Sequence, residues 1–364
     1  MKVLHVHKLT GVSGSEGHLL ALLPALRERG IDARFLGLDV PGSDAPRFYE
    51  ALDELGLPHR SVRCGPDVSA RMARDVIRAI RTERPELVHT HLVHADVYGG
   101  LAARMLRVPS VSTRHNDDRY LLGPFRYVDR AFARPARRLI AISDAVRRFL
   151  EQSGHEPAKL VTIRYGLDEL PSTRSDPTPA AAGIPADVPL AVAVGRLIAQ
   201  KDHATLLRAF ARVRSTLPEA RLAILGSGPL EAETRKLAGE LGLEEAVTLP
   251  GRTDIRDWLE RADVFVHTSR WEGFGIVLLE AMLAGLPVVA TRVSAVPEVV
   301  ADGVTGVLVE AGDVDGLAAA LQALLTDRER ARALGEAGRR RAREEFSVAR
   351  MAECTHAVYD EVLR

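Results

Sequence analysis

The feature that most constrains this 364-residue chain is a repeated change of hydrophobic period: short β-rich runs alternate with helically spaced stretches, stop once, and then start again. Residues 3–6 are followed by a helical pattern over 16–29 and a second run at 33–38, and further along 87–89 is followed by 95–106. Strands separated by helix-length segments cannot pair as hairpins. Each must cross over and lie parallel to its neighbour, with helices covering the sheet. The break comes at 169–189, where Pro171, Pro177, Pro179, Pro185 and Pro189 stand among Ser, Thr and Ala and read as a linker. The alternation resumes with Leu190–Val194, a helix over 204–217, Arg221–Leu225, a helix over 230–241, Val264–His267, the helix Ile276–Ala284 and a strand at 288–290. The expectation is an α/β chain of two Rossmann-like domains with parallel sheets facing each other across a cleft. The first spans 1–170, a linker 171–188, and the second 189–346, with ligand held at the C-terminal ends of the strands. From Asp315 the tail is rich in Arg and Ala and reads as consecutive helices that break at Phe346 and Ser347.

Composition excludes several classes. Hydrophobic residues at 46% supply two cores, and Lys plus Arg equals Asp plus Glu at 49 each, which removes the basic excess of a dedicated nucleic-acid binder. The balance is uneven along the chain: residues 1–175 carry 27 Lys/Arg against 21 Asp/Glu, so anionic material is favoured at the front half. Cys64 and Cys354 are the sole cysteines, which excludes a disulfide scaffold and points to a reducing cytoplasm. No run approaches the ~18 apolar residues that span a bilayer, so the expectation is a cytoplasmic protein, soluble or peripheral at the inner face of the membrane.

The densest chemistry lies in Arg270-Trp271-Glu272-Gly273-Phe274-Gly275-Ile276, which follows an apolar strand and opens a helix. Gly273 and Gly275 permit a tight turn whose free N–H groups, with the helix dipole behind them, suit a phosphate. Glu280 sits within that helix among apolar neighbours, where a bare carboxylate is costly unless hydroxyls such as those of a ribose donate to it; the plain alternative is a surface glutamate. Gly195-Arg196-Leu197-Ile198-Ala199-Gln200-Lys201 leaves the strand Leu190–Val194 with two cations, a planar fork and a point charge suited to a diphosphate. Gly226-Ser227-Gly228 is a third strand-end turn. In the front half, 11–18 is a glycine-rich loop containing Gly14, but it lacks the dinucleotide fingerprint. For His115, after the strand that ends at Thr113, two readings stand: contact with a bound sugar, or an ordinary loop histidine.

Other clusters carry less. His89, His91 and His94 lack a carboxylate or cysteine to complete a metal site, so hydrogen bonding is expected there and no metal. Asp313 and Asp315 precede a helix over 316–325 and read as capping. Arg126, Arg130, Arg134, Arg137 and Arg138, interleaved with Phe125, Tyr127, Val128 and Phe132, form either a solvated cationic face or a lipid contact.

Taken together these motifs resemble the retaining glycosyltransferases of family 4, of GT-B architecture, over nearly the whole length. The resemblance is carried by Gly195-Arg196, Lys201, Gly226-Ser227-Gly228, the glutamate pair Glu272 and Glu280 around Gly273-Phe274-Gly275, and Gly285-Leu286-Pro287-Val288-Val289. It implies that Arg196 and Lys201 hold a donor diphosphate, Glu280 binds ribose, Glu272 lies beside the donor sugar, and backbone at Gly251-Arg252 meets the base. It implies further that Gly14 belongs to the first-half loop, that His115 is a donor-sugar histidine, and that the final helix, 347–364, returns to the first domain. Two positions depart from the pattern: Ser13 replaces a glycine, and Tyr165-Gly166-Leu167-Asp168 replaces Asn-Gly-x-Asp. The implied reaction moves a hexosyl unit from a UDP- or GDP-sugar to a glycan, lipid-linked or small-molecule acceptor, with no cofactor and no metal. The rivals are a nucleotide-sugar epimerase, a sugar phosphorylase or an inactive sugar-nucleotide-binding protein.

Overall fold

The computed structural model describes residues 1–9, 14–43, 45–64, 69–117, 122–170 and 177–364. They form two compact units, Met1–Gly166 with Ser347–Arg364, and Leu167–Phe346. The first is built on β1 (Lys2–Leu9), β2 (Asp32–Asp39), β3 (His59–Arg63), β4 (Leu87–His91), β5 (Ser110–Arg114), β6 (Arg138–Ala141) and β7 (Leu160–Thr162). The second is built on β8 (Leu190–Val194), β9 (Arg221–Leu225), β10 (Val247–Gly251), β11 (Val264–His267), β12 (Val288–Thr291) and β13 (Gly306–Val309).

Every strand pairing is parallel, in the orders β3-β2-β1-β4-β5-β6-β7 and β10-β9-β8-β11-β12-β13. In each sheet the chain works outward from its first strand, then returns and continues on the other side. The exits of β1 and β4, and of β8 and β11, therefore lie side by side. Crossovers leave in opposite directions at that point and open a crevice at the C-terminal strand ends. The central strands are covered on both faces, which is why β8 reads Leu-Ala-Val-Ala-Val rather than alternating with polar residues.

The core of the first unit has two layers. On one face Leu19, Leu22, Leu23 and Leu26 of the helix Gly14–Glu28 pack with Phe35, Phe48 and the inner side of the last helix, Val348–Leu363, through Met351, Val358, Tyr359 and Val362. On the other, Leu4, Val6, Leu36 and Val88 meet Met72, Val76 and Ile80 of the helix Ala70–Glu83. The last helix thus completes the first unit's core, and Arg137 and Arg138 bond to it at the Val362 carbonyl and the Glu361 carboxylate.

Two departures from the sequence pattern have physical causes. The helix expected over 95–106 is broken into Leu92–Ala95, a wide π turn at Asp96–Gly100, and Leu101–Met105. There Asp96 accepts hydrogen bonds from Thr90 and Ser112, and Gly99 lies so close to the sheet that a Cβ would stand 3.0 Å from Thr90. The linker's Pro171 and 172–176 lie outside the described residues, while its later part is tied to the second unit through its carbonyls. Trp258 Nε1 donates to Pro177 O (3.0 Å), and Arg261 donates to Pro185 O and Val188 O. Proline removes N–H groups but keeps its carbonyl, so a Pro-rich strap is fastened from the donor side of its neighbours. Within the basic stretch, the helix Phe125–Ala133 exposes Phe125, Tyr127 and Val128, with Arg126 over the Tyr127 ring. Asp313 caps the helix Val314–Thr326 by accepting from Gly316 N (2.9 Å), as expected of a cap. Among the described residues no helix is long and apolar enough to cross a membrane.

Candidate active site

In the second unit the chemistry gathers where β8 and β11 exit side by side. Arg196 and Lys201 follow β8, and Glu272 follows β11. The two loops are stitched together by backbone and side-chain bonds: Arg270 N donates to Gln200 O (2.8 Å), Gln200 Nε2 to Trp271 O (2.9 Å), and Thr268 Oγ1 to Lys201 O (2.8 Å). Arg270 Nε reaches Asp202 at 3.0 Å. Such ties hold the site's side chains in place before any ligand arrives.

Their centre is the Glu272 carboxylate. Its Oε2 accepts from Lys201 Nζ at 2.5 Å, His267 Nε2 at 3.0 Å and Ser269 Oγ at 3.2 Å. Among the described residues Oε1 accepts no hydrogen bond. Burial opposes the charge on Glu272, but the Lys201 ammonium and the His267 hydrogen bond outweigh it and hold the carboxyl far below the usual carboxylate range. Burial also pushes His267 down despite its bond to Glu272, so the ring stays neutral near pH 7 and donates from Nε2. Arg196 is exposed on the same loop, and its backbone carbonyl is met by His203 Nε2 at 3.3 Å.

The glycines beside these residues are required by contact. Gly226 has φ +132°, and a Cβ there would fall 2.1 Å from Gly195 O, so the β9 turn can lie against the Arg196 loop only without a side chain. Gly226 N also bonds Gly251 O at 2.8 Å, joining the Gly251-Arg252 turn, with exposed Arg252, to the same strand-end edge. Gly275 has φ +83° and is the N-cap of the helix Ile276–Ala284; with Gly273 and Phe274 it is buried under that helix's first turn. The helix is apolar except for Glu280, whose carboxyl makes no hydrogen bond or ion pair among the described residues. Burial alone pushes it up to about 7.

The remaining sequence candidates belong to the first unit. Gly14 opens the first helix, and Ser13 lies outside the described residues. His115 is buried, with Nε2 3.1 Å from His91 Nδ1 and Nδ1 bonded to the Tyr165 hydroxyl. The Tyr at position 165 therefore fills its departure from the family pattern with a bond to the histidine. The strand histidines need one correction. His89 and His91 share a face as alternation requires, but His94 lies beyond the strand beside Tyr98 and Cys64, and it is His5 of β1 that joins them. Sequence reasoning missed His267, Ser269 and Asp202 in the second unit and His5 in the first. His267 was legible in principle, as the last residue of an apolar strand five positions before Glu272.

Alpha-maltose-1-phosphate synthase of Mycobacterium tuberculosis is 31% identical to this chain, over 96% of this chain and 95% of that protein. Residues 12–169 match the family described as Glycosyltransferase Family 4, and residues 175–341 that described as Glycosyl transferases group 1. The chain belongs to the family 4 glycosyltransferases. N-acetyl-alpha-D-glucosaminyl L-malate synthase of Bacillus anthracis is 29% identical over 98% of this chain and 94% of its own. The family 4 fold recurs in the Anabaena Alr3699/HepE structure in complex with UDP-glucose, with TM-score 0.85 and 24% identity over 99% of this chain and 100% of that one. The two Rossmann-like sheets are thus those of a GT-B glycosyltransferase, an enzyme class that draws on nucleotide-sugar donors.

Proposed function

We propose that this glycosyltransferase moves a hexosyl unit from a UDP- or GDP-sugar to a hydroxyl of a glycan, lipid-linked or small-molecule acceptor, with retention at the anomeric carbon and without a metal ion. The observation that carries this reading is the Lys201–Glu272 pair at 2.5 Å, set with Arg196 at the exits of β8 and β11. Breaking the bond between the anomeric carbon and the diphosphate puts negative charge on the leaving oxygen. The Lys201 ammonium, held by Glu272, meets that charge without reorganising, and the exposed Arg196 guanidinium on the same loop adds a second cation. Glu272, anchored through Oε2, keeps its charge beside the sugar as positive character develops at the anomeric carbon. In a front-face path the acceptor oxygen forms the new bond on the side the diphosphate leaves. The acceptor's proton passes to the departing phosphate oxygen, so no separate base is needed. Backbone N–H groups at Gly273–Gly275 and the helix behind them suit further phosphate or sugar oxygens.

The test is incubation with UDP- and GDP-hexoses and an acceptor panel in the presence of a chelator, with product NMR. Transfer with the donor's anomeric configuration kept is expected. Epimerised donor without transfer, a requirement for inorganic phosphate, or an inverted product would each defeat the reading.

Glu280 supplies a pH prediction. Its carboxyl is raised to about 7 by burial, so the folded protein holds this proton where the unfolded chain has lost it. Stability then falls as pH rises from the ordinary glutamate range towards 7. Ribose hydroxyls donating to the carboxylate reverse this preference, so nucleotide affinity by titration calorimetry is expected to strengthen from pH 6 to pH 8. In Glu280→Gln the pH slope is expected to vanish and affinity to fall about tenfold, the equivalent of one lost hydrogen bond to a charged group.

A further inference from the structure

At the β1/β4 exit of the first unit, buried imidazoles and phenols join end to end. The Tyr165 hydroxyl bonds His115 Nδ1, and His115 Nε2 lies 3.1 Å from His91 Nδ1. His91 Nε2 lies 3.0 Å from His5 Nδ1, and His5 Nε2 lies 3.4 Å from the Tyr359 hydroxyl of the last helix. That hydroxyl lies 2.5 Å from His89 Nδ1, and His89 Nε2 reaches Thr113 Oγ1 at 2.7 Å. Both nitrogens of all four rings are used, and each ring is at most 5% exposed.

Two chemistries use such a cluster: a metal site or a row of hydrogen bonds. The nitrogens of His5, His89 and His91 lie within 4.8 Å of one another, near enough to raise the first. Ring orientation argues against it. His89 and His91 stack with centroids 4.3 Å and planes 28° apart, so their in-plane lone pairs run side by side rather than meeting at one point ~2 Å from each nitrogen. His5 Nδ1 and His91 Nε2 lie 3.0 Å apart with planes 14° and centroids 5.3 Å apart, edge to edge, so the lone pair of one faces the N–H of the other.

A row of hydrogen bonds has its own constraint. A neutral imidazole has one donor and one acceptor, so if one ring donates forward every ring in an unbroken row must do so. Burial first, and the neighbouring histidines next, hold His5 at about 3 and His89, His91 and His115 well below the usual histidine value, so all four rings are neutral. The phenols choose the direction. Tyr359 has one proton and two ring neighbours. Given to His89 it makes the 2.5 Å bond, whereas given to His5 it is spent across 3.4 Å. With the proton on the His89 side, Tyr359 accepts from His5, His5 from His91 and His91 from His115, while Tyr165 donates to His115.

We propose that Tyr359 is a positioning residue for His115: acting through His5 and His91 in a row of single polarity, it keeps the His115 proton on Nε2 and the ring turned towards Tyr165. His115 is the match to the family's donor-sugar histidine, so the inference deepens the reading given above and rests on it for its functional meaning. The last helix, distant in sequence, thereby sets the state of a residue at the end of β5. Thr113 closes the row as an acceptor.

The direct test is 15N NMR of histidine-labelled protein, which reads each ring's tautomer without turnover. In the wild type His5, His89, His91 and His115 are all expected as Nε2–H at pH 7. In Tyr359→Phe, His5 loses its acceptor, and the row upstream is expected to reverse so that His115 becomes Nδ1–H although it does not touch the substituted residue. Thr113→Val removes the acceptor at the far end and is expected to drive the same reversal. A wild-type ring found as Nδ1–H, a His115 unmoved by both variants, or one equivalent of zinc in the purified protein by metal analysis would overturn the proposal. The wild-type measurement decides even if a variant fails to fold. A protein with these tautomers that transfers no sugar would defeat the proposed function and leave the row standing, so the two failures are separable.

Discussion

Replacing Lys201 with alanine is expected to lower the rate of sugar transfer by about 10²–10³-fold, the loss seen when one preorganised stabiliser of developing negative charge is removed. The size follows from two roles that one ammonium fills. It offers charge to the leaving diphosphate, and through its 2.5 Å bond it fixes the Glu272 carboxylate. Because burial works against the charge on Glu272 and Lys201 is the largest influence opposing it, the variant's carboxyl rises back towards the ordinary range. The sign of the stability effect is set by the same shift. A carboxyl depressed in the folded state contributes stability above its unfolded value, lost as pH falls through the folded one. The native pair is therefore at full strength at neutral pH, and the variant loses part of that contribution there. Kinetics separate the roles. Loss of diphosphate binding alone raises KM, whereas loss of charge stabilisation in the transition state lowers kcat. Lys201→Arg is not expected to restore the rate, because a planar fork cannot place one point charge within reach of both Glu272 and a phosphate. A variant with kcat within threefold of the wild type would remove Lys201 from the chemistry.

How much of this was legible in the sequence differs between the two units for a physical reason. In the second unit, Leu190–Val194, Arg221–Leu225, Val264–His267 and Ile276–Ala284 begin and end where the pattern places them. Buried parallel strands are continuous apolar runs bounded by turn residues, and the site residues sit at those bounds. Arg196, Lys201 and Glu272 are charged residues in the loops that follow apolar runs, a pattern visible without coordinates. The first unit hides its polar chemistry inside strands. His5 and His7 in β1 and His89 and His91 in β4 occupy positions the alternation assigns to the core, and only the β1–β4 register, with His5 opposite His89, brings them together. No local spacing predicts that meeting, nor that Tyr359 closes it across 270 positions of chain. The broken helix after β4 fails for a related reason: the pull on Asp96 comes from Thr90, Ser112 and Arg114 on neighbouring strands.

That Asp96 cluster carries the largest stability prediction. Arg114, one residue before His115, is the last residue of β5, and its guanidinium is 3% exposed and divided between two buried carboxylates. Nη1 lies 2.6 Å from Asp96 Oδ2, and Nη2 lies 2.8 Å from Asp129 Oδ1. Asp129 is also met by His155 Nε2 at 2.8 Å, and Asp96 by Thr90 and Ser112. Arg114→Met keeps the side chain's length but removes the cation, and is expected to cost about 3–5 kcal/mol because two carboxylates stay in a site that cannot hydrate them. Burial already pushes Asp96 above its ordinary value, with Arg114 the main restraint, so without Arg114 it rises further and the folded state takes up a proton. An acid raised in the folded state loses stability as pH climbs through that raised value, so the variant is expected to be worse at pH 8 than at pH 5. Both tryptophans, Trp258 and Trp271, lie in the second unit. Their fluorescence in urea is therefore the control, and the loss should be read from faster hydrogen exchange at the amides of β4 and β5. Removing all three charges together, Arg114→Met with Asp96→Asn and Asp129→Asn, is expected to recover most of the loss, since the penalty lies in uncompensated charge rather than in the missing pair itself. Exchange at β4 and β5 unchanged in the single variant would mean that the guanidinium is not what holds these carboxylates in the core.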